Sequence, residues 1–128
     1  MSAEKINVAV VDDDGSFCRA LGRLLRAAGF APVMYPSAEA FLQDATRTGM
    51  DCLVLDIHLG GMSGFDLQKH LAETGSPPPI IFMTGHVEPE TPELARRAGC
   101  VAFLRKPFVG SSLLDAIRRA VEARPSAE

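Results

Sequence analysis

Polar residues that could act together follow four apolar runs of the sequence. These residues are Asp12, Asp13 and Asp14 after the first run, Asp56 at the end of the third, Thr84 at the end of the fourth and Lys106 after the fifth. Grouped acids with few basic neighbours are typical of a hard-cation site, and Mg²⁺ favours one or two carboxylates, waters and phosphate oxygens. A carboxylate nucleophile beside such an ion, with Lys and Thr donating to phosphoryl oxygens, would form an aspartyl phosphate. Any one of these residues alone is equally explained as a turn or capping residue.

The elements that must position these residues are five strands alternating with five helices. The predicted strands are Ile6–Val11, Pro32–Tyr35, Asp51–Asp56, Ile80–Thr84 and Val101–Arg105. The predicted helices run from Ser16 to Ala28, from a Ser37 cap to about Thr48, from a Ser63–Asp66 capping box to about Glu73, from Thr91 as cap to Ala98, and over a final stretch containing Leu113 to Val121. This alternation predicts a parallel sheet covered on both faces, with ligands bound beyond the carboxyl ends of the strands.

Composition narrows the class of protein further. The 128 residues are 47% hydrophobic and 23% charged, which favours one globular domain, and the net charge of −3 gives no general attraction to nucleic acid or anionic lipid. No secretory signal or membrane-spanning stretch is evident. Three separated cysteines without a CxxC pair argue against a disulfide framework, so a cytoplasmic setting is expected.

Four motifs stand in order along the chain. They are Val11-Asp12-Asp13-Asp14, Leu55-Asp56 followed by Met62-Ser63-Gly64, Met83-Thr84-Gly85-His86, and Lys106-Pro107-Phe108. Their joint order and spacing resemble a response-regulator receiver domain of the CheY-like superfamily, from about Ile6 to Glu122. The stretches Tyr35–Leu42 and Thr84–His86 are most similar to receivers of the FixJ type. The resemblance implies a flavodoxin-like, doubly wound (βα)5 fold of strand order 2-1-3-4-5. It also implies one receiver domain over 1–128, with a core of about 5–122 and a polar tail at 123–128.

Carried over to this sequence, the resemblance implies that Asp56 is the phosphoacceptor. Asp13 would ligate Mg²⁺, or Mn²⁺, directly and Asp12 largely through water, and the backbone carbonyl of His58 would complete the protein ligands.

The resemblance assigns roles to three residues near the fourth and fifth strands as well. Thr84 and Lys106 would hold phosphoryl oxygens, and Phe103 matches the aromatic residue that turns inward when the Thr hydroxyl moves toward the phosphoryl group. Pro107 matches a proline whose preceding peptide bond is cis, a geometry that is inexpensive only before proline.

The partners implied are a sensor histidine kinase or histidine phosphotransfer protein as phosphoryl donor, and a downstream protein as target. The chain would be a switch rather than an enzyme, a monomer or a phosphorylation-dependent dimer through the fourth helix, fifth strand and fifth helix. At 128 residues it leaves no room for a DNA-binding module, so no direct contact with nucleic acid or membrane is expected. Arg96-Arg97 and Arg118-Arg119 lie in the dimer region but equally fit solvated helix faces.

Two features depart from the family pattern or vary within it. Leu59-Gly60 stands where the family usually has Met-Pro, which predicts a more mobile loop after Asp56. His58 and His86 lie two residues after Asp56 and Thr84, where they could tune hydrolysis of the aspartyl phosphate with pH. They could equally be exposed loop residues without such a role. A transition-metal site that includes them is a third interpretation.

Two alternatives to the leading hypothesis remain open. One is a Mg²⁺-dependent phosphohydrolase with an aspartyl intermediate, for which Asp12-Asp13-Asp14-Gly15-Ser16 is only a partial match. The other is a degenerate receiver that binds partners without phosphorylation, which the complete set of acids, Thr84 and Lys106 argues against.

Overall fold

Five parallel strands form one sheet, and their order across it is the 2-1-3-4-5 that the resemblance predicts. The computed structural model describes residues 5–75 and 77–122, so the predicted polar tail, 123–128, lies outside the described residues. The strands are β1 (Asn7–Val11), β2 (Ala31–Tyr35), β3 (Cys52–Asp56), β4 (Ile80–Thr84) and β5 (Ala102–Arg105). Every residue of the neighbouring strands β3 and β4 is buried, which is why these two segments are continuous apolar runs.

Five helices connect the strands and cover both faces of the sheet. They are α1 (Gly15–Ala27), α2 (Ala38–Gln43), α3 (Gly64–Thr74), α4 (Thr91–Arg97) and α5 (Gly110–Glu122). The apolar residues form two clusters, one holding α2, α3 and α4 and the other holding α1 and α5. Alternate residues of β1 enter opposite clusters, so the sheet lies between two helical layers and the predicted fold class is confirmed. Within the described residues, no helix is long and apolar enough to cross a bilayer.

The second helix is shorter than predicted. It ends at Gln43 instead of about Thr48, and a short 3-10 helix, Ala45–Gly49, follows it. Asp44 separates the two because its carboxylate accepts hydrogen bonds from the backbone N–H of Thr46 and from the Tyr35 hydroxyl. These side-chain bonds compete with a continuing helix.

The prediction that Thr91 caps the fourth helix is wrong by one residue. Glu90 occupies the N-cap position without a side-chain capping bond, and Thr91 is the first helical residue. The buried Thr91 hydroxyl instead accepts a hydrogen bond from the backbone N–H of Glu88 at 3.0 Å. It therefore fixes the end of the preceding loop rather than the free amides of the helix.

Candidate functional site

The acidic residues of β1 and β3 meet because these strands are hydrogen-bonded neighbours. Val11 lies opposite Leu55 in the sheet, so the next residue along each segment, Asp12 after β1 and Asp56 at the end of β3, reaches the same edge. One carboxylate oxygen from each of Asp12, Asp13 and Asp56 lies within 4.8 Å of the others. Asp12 and Asp56 are buried, with 1% and 5% of their surface exposed, whereas Asp13 is exposed. The pocket is therefore open to solvent on the side of Asp13.

Asp14 does not join this cluster, although the sequence groups it with Asp12 and Asp13. Its carboxylate accepts a hydrogen bond from the backbone N–H of Phe17 and caps the start of α1. The capping alternative that the sequence leaves open is thus the correct one for this residue. The first helix therefore begins at Gly15, two residues after Asp13.

Lys106 connects the two buried carboxylates. Its ammonium lies 2.6 Å from Asp12 Oδ2 and 3.1 Å from Asp56 Oδ2, although 94 and 50 residues separate the pairs in sequence. The ammonium also lies 4.3 Å from the centre of the Phe17 ring, a cation–π distance. The Lys106–Pro107 peptide bond is cis, as the resemblance predicts.

The protonation equilibria of this pocket reflect burial and charge together. Burial is the main cause that raises the pKa of Asp56 above its ordinary value, and the negative charge of Asp12 adds to it. The backbone N–H of His58 and the ammonium of Lys106 oppose this rise. Burial alone would lower the pKa of Lys106, but its bonds to Asp12 and the charge of Asp56 raise that pKa overall. Lys106 therefore stays protonated beside the two acids.

Thr84, at the end of β4, is fully buried and bonded to its own loop. Its hydroxyl donates to the backbone carbonyl of His86 at 2.9 Å and accepts from the His86 N–H at 3.1 Å. The His58 ring Nε2 lies 3.0 Å from the same carbonyl oxygen. The His86 ring instead contacts the Glu88 carboxylate at 2.6 Å. The two histidine rings, 5.8 Å apart between centres, thus have different partners.

The loop between Asp56 and α3 is bound at several points. The N–H of Gly64 donates to the Ile57 carbonyl at 2.9 Å, and the predicted capping box of Ser63 with Asp66 is present. A carboxylate oxygen of Glu39, on α2, accepts a hydrogen bond from the backbone N–H of Met62 at 3.0 Å. These contacts would restrain the loop. The greater mobility expected from Leu59-Gly60 stays a prediction.

Three contributors to this site are not indicated by the sequence. Phe17 fits the apolar side of α1 by its spacing, so nothing in the sequence indicates its contact with Lys106. The thiol of Cys18 donates to the Asp12 carbonyl at 3.3 Å, and Glu39 bonds to a residue 23 positions later. No local pattern could have identified these contacts, since each partner lies on another element.

Phe103 lies on β5 opposite Phe82 of β4, one position before the pair formed by Met83 and Leu104. It is half-buried and packs against the apolar cluster of α2, α3 and α4. Phe103 therefore lies at the edge of the core, close in the sheet to Thr84, the last residue of β4.

The fold and the pocket define a doubly wound α/β protein with an acid cluster and a lysine at the carboxyl edge of its sheet. The sequence profile of the response regulator receiver domain matches residues 8–118. The chain belongs to this family, and it is a regulatory domain of two-component systems rather than a classical enzyme.

Individual relatives support the same assignment. The response regulator protein TmoT of Ectopseudomonas mendocina is 39% identical over 98% of this chain and 57% of its own length. The transcriptional regulatory protein FixJ of Bradyrhizobium diazoefficiens is 35% identical over 97% of this chain and 61% of its own. The crystal structure of FixJ-N covers 97% of this chain and 99% of its own with a TM-score of 0.85 and 34% identity. The chain thus spans little more than half the length of these curated relatives, and the similarity to FixJ-type receivers is confirmed.

The acid cluster suits the magnesium ion that receiver domains bind. Three carboxylate oxygens within 4.8 Å, two of them buried beside an open edge, are hard oxygen donors that leave room for water and phosphate oxygens. The donors present on this chain therefore fit the metal, with Asp12, Asp13 and Asp56 as the residues that would hold it.

Proposed function

We propose that this chain is a phosphorylation-controlled switch with Asp56 as its phosphoacceptor. The phosphoryl donor is a histidine kinase or a histidine phosphotransfer protein. The observation that carries the proposal is the position of Asp56, buried within the acid cluster and 3.1 Å from the ammonium of Lys106. In the transfer, a carboxylate oxygen of Asp56 forms a bond to phosphorus while the phosphorus–nitrogen bond of the donor phosphohistidine breaks. The electron pair of that bond leaves with the imidazole.

The surrounding residues support this reaction by charge and by hydrogen bonding. Lys106 lies between Asp12 and Asp56, where its ammonium can also bind a phosphoryl oxygen and reduce repulsion of the incoming anion. Asp12, Asp13, Asp56 and the backbone carbonyl of His58 would hold Mg²⁺ or Mn²⁺. When bound, that ion neutralises charge on the transferring phosphoryl group. His58 donates its backbone N–H to Asp56 Oδ1, which orients the carboxylate.

The output of the switch follows from Thr84 and Phe103. After transfer, the Thr84 hydroxyl leaves the His86 carbonyl and donates to the phosphoryl group. The Phe103 ring turns inward when the hydroxyl moves. This couples the charge added at Asp56 to the surface formed by α4, β5 and α5. That surface then contacts a downstream protein or a second copy of this chain. His58 and His86 are the residues proposed to tune hydrolysis of the aspartyl phosphate.

Incubation with acetyl phosphate and Mg²⁺ tests the proposal. We expect one acid-stable, base-labile phosphoryl group by intact mass, absent in Asp56→Asn and retained in the control Asp115→Asn, an exposed aspartate of α5. An unlabelled wild-type protein would support the degenerate-receiver alternative. A label that persists in Asp56→Asn, with turnover of small phosphate esters, would support the phosphohydrolase.

A further inference from the structure

The carbonyl oxygen of His86 accepts two hydrogen bonds, one from the last residue of β4 and one from the loop after β3. The Thr84 hydroxyl, at the end of β4, lies 2.9 Å away, and the His58 ring Nε2, in the loop after β3, lies 3.0 Å away. A carbonyl oxygen only accepts, so His58 Nε2 must carry the hydrogen of this bond. The His58 side chain therefore ties the loop after Asp56 to the loop after Thr84.

Both hydrogen-bonding directions of the Thr84 hydroxyl are used within the same loop. It donates to the His86 carbonyl and accepts from the His86 N–H, and Thr84 itself is fully buried. Before the hydroxyl can donate to a phosphoryl group, its bond to the His86 carbonyl must break. Any contact that holds this carbonyl in place therefore favours the arrangement in which Thr84 is bound to its own loop.

We propose that the His58 side chain is a positioning residue that stabilises the resting state of this switch. By donating to the His86 carbonyl it holds the loop after β4 where that carbonyl binds the Thr84 hydroxyl. The role rests on the proposed function, because it requires Thr84 to leave this carbonyl on phosphorylation. It differs from a role in hydrolysis, since it acts on the conformational equilibrium before any phosphoryl group is present.

Binding of beryllofluoride, a phosphoryl mimic, with Mg²⁺ tests the proposal by calorimetry. Loss of one solvent-accessible hydrogen bond in His58→Ala should tighten beryllofluoride binding about three- to tenfold. His58→Gln, which keeps an N–H donor, should return the affinity toward the wild-type value, and His58→Phe, which keeps a ring without one, should resemble His58→Ala. His70→Ala, a histidine replacement on the exposed side of α3, is the matched control and should leave the affinity unchanged. Unchanged or weaker binding by His58→Ala would overturn the proposal.

A double-mutant cycle shows whether His58 acts through Thr84. If the two residues are coupled through the His86 carbonyl, His58→Ala should change the affinity far less in a Thr84→Val background than in the wild type. Equal effects in both backgrounds would mean that His58 acts elsewhere, for instance on the pocket mouth, and would also overturn the proposal.

Amide exchange of the metal-free protein tests the role of the His58 side chain independently of the proposed function. His58→Ala should speed hydrogen exchange at the His86 amide, which donates to the Thr84 hydroxyl, relative to wild type and His70→Ala, whether or not the protein can be phosphorylated. Unchanged exchange there would contradict the role of His58. Failure of the wild type to bind beryllofluoride, or equal binding by Asp56→Asn, would instead contradict the proposed function.

Discussion

The ammonium of Lys106 lies 2.6 Å from a carboxylate oxygen of Asp12, a residue 94 positions earlier in the chain. The contact joins the end of β5 to the end of β1, two strands separated by β3 and β4 in the sheet. Within the described residues, three clustered carboxylates thus face one bonded ammonium. The pocket retains excess negative charge, which a divalent cation would neutralise.

Magnesium should therefore stabilise the protein, and Asp13 should mediate much of this effect. We expect Mg²⁺ to raise the melting temperature measured by circular dichroism, with a gain of about 2.7 kcal/mol at a concentration 100 times Kd. Asp13→Asn removes both a ligand and a repulsive charge. It should raise the melting temperature without metal and reduce the increment that Mg²⁺ adds.

Asp115→Asn provides the control for this experiment. Asp115 lies on α5 in an exposed ion pair with Arg118, so its replacement should preserve the increment produced by Mg²⁺. An equal increment in wild type and Asp13→Asn would show that Asp13 does not contribute to the metal site.

Much of the fold and site could be predicted from the sequence, for a physical reason. In a parallel sheet all strands end at one edge, so the residue after each apolar run is placed by the run itself. The sequence pattern alone places Asp12, Asp56 and Thr84 at this edge. Lys106 follows β5 by the same logic.

Contacts between elements were the part that the sequence could not supply. The end of α2 depends on Asp44 binding Tyr35 of β2, and the loop after β3 depends on Glu39 of α2. Such bonds follow from tertiary placement, which overrides the local helix pattern. For the same reason, the loop that Gly60 suggests to be mobile has an anchor that no local pattern predicts.

Replacement of Glu39 tests that anchor and the predicted loop mobility together. Glu39→Ala should speed amide exchange at Met62, because the carboxylate that accepts its N–H is gone. Glu39→Gln keeps an acceptor oxygen and should remain close to wild type. Exchange at Met62 that is already fast in the wild type would support the mobile loop and contradict a fixed bond to Glu39.

Gly64, the first residue of α3, lies at a position where a side chain cannot be accommodated. A Cβ atom there would lie 2.4 Å from the Asp56 carbonyl oxygen and 2.9 Å from the Ile57 Cα, both in the backbone. We expect Gly64→Ala to lower the free energy of unfolding by about 1–3 kcal/mol, measured by urea denaturation.

Gly60→Ala is the matched control, since the same change at residue 60, in the loop before α3, meets nothing within 4 Å. It should alter the free energy of unfolding by no more than about 0.5 kcal/mol. Equal losses in the two variants would mean that lost backbone freedom, rather than the close approach of the backbone at Gly64, accounts for the destabilisation.

Tyr35 offers a direct spectroscopic test of the contact that ends α2. Burial, the hydrogen bond to Asp44 and the charge of Asp44 raise the pKa of Tyr35 from 10.0 to about 12. Because the folded pKa is raised, the stability contributed by this group is fully present below pH 10.0 and is lost as pH rises toward about 12. The chain has one tyrosine and no tryptophan, so tyrosinate absorbance reports on Tyr35 alone.

In Asp44→Asn the titration midpoint of Tyr35 should fall, since the carboxylate charge is removed while burial remains. A wild-type midpoint near 10.0, or the same midpoint in both proteins, would contradict the contact between Tyr35 and Asp44.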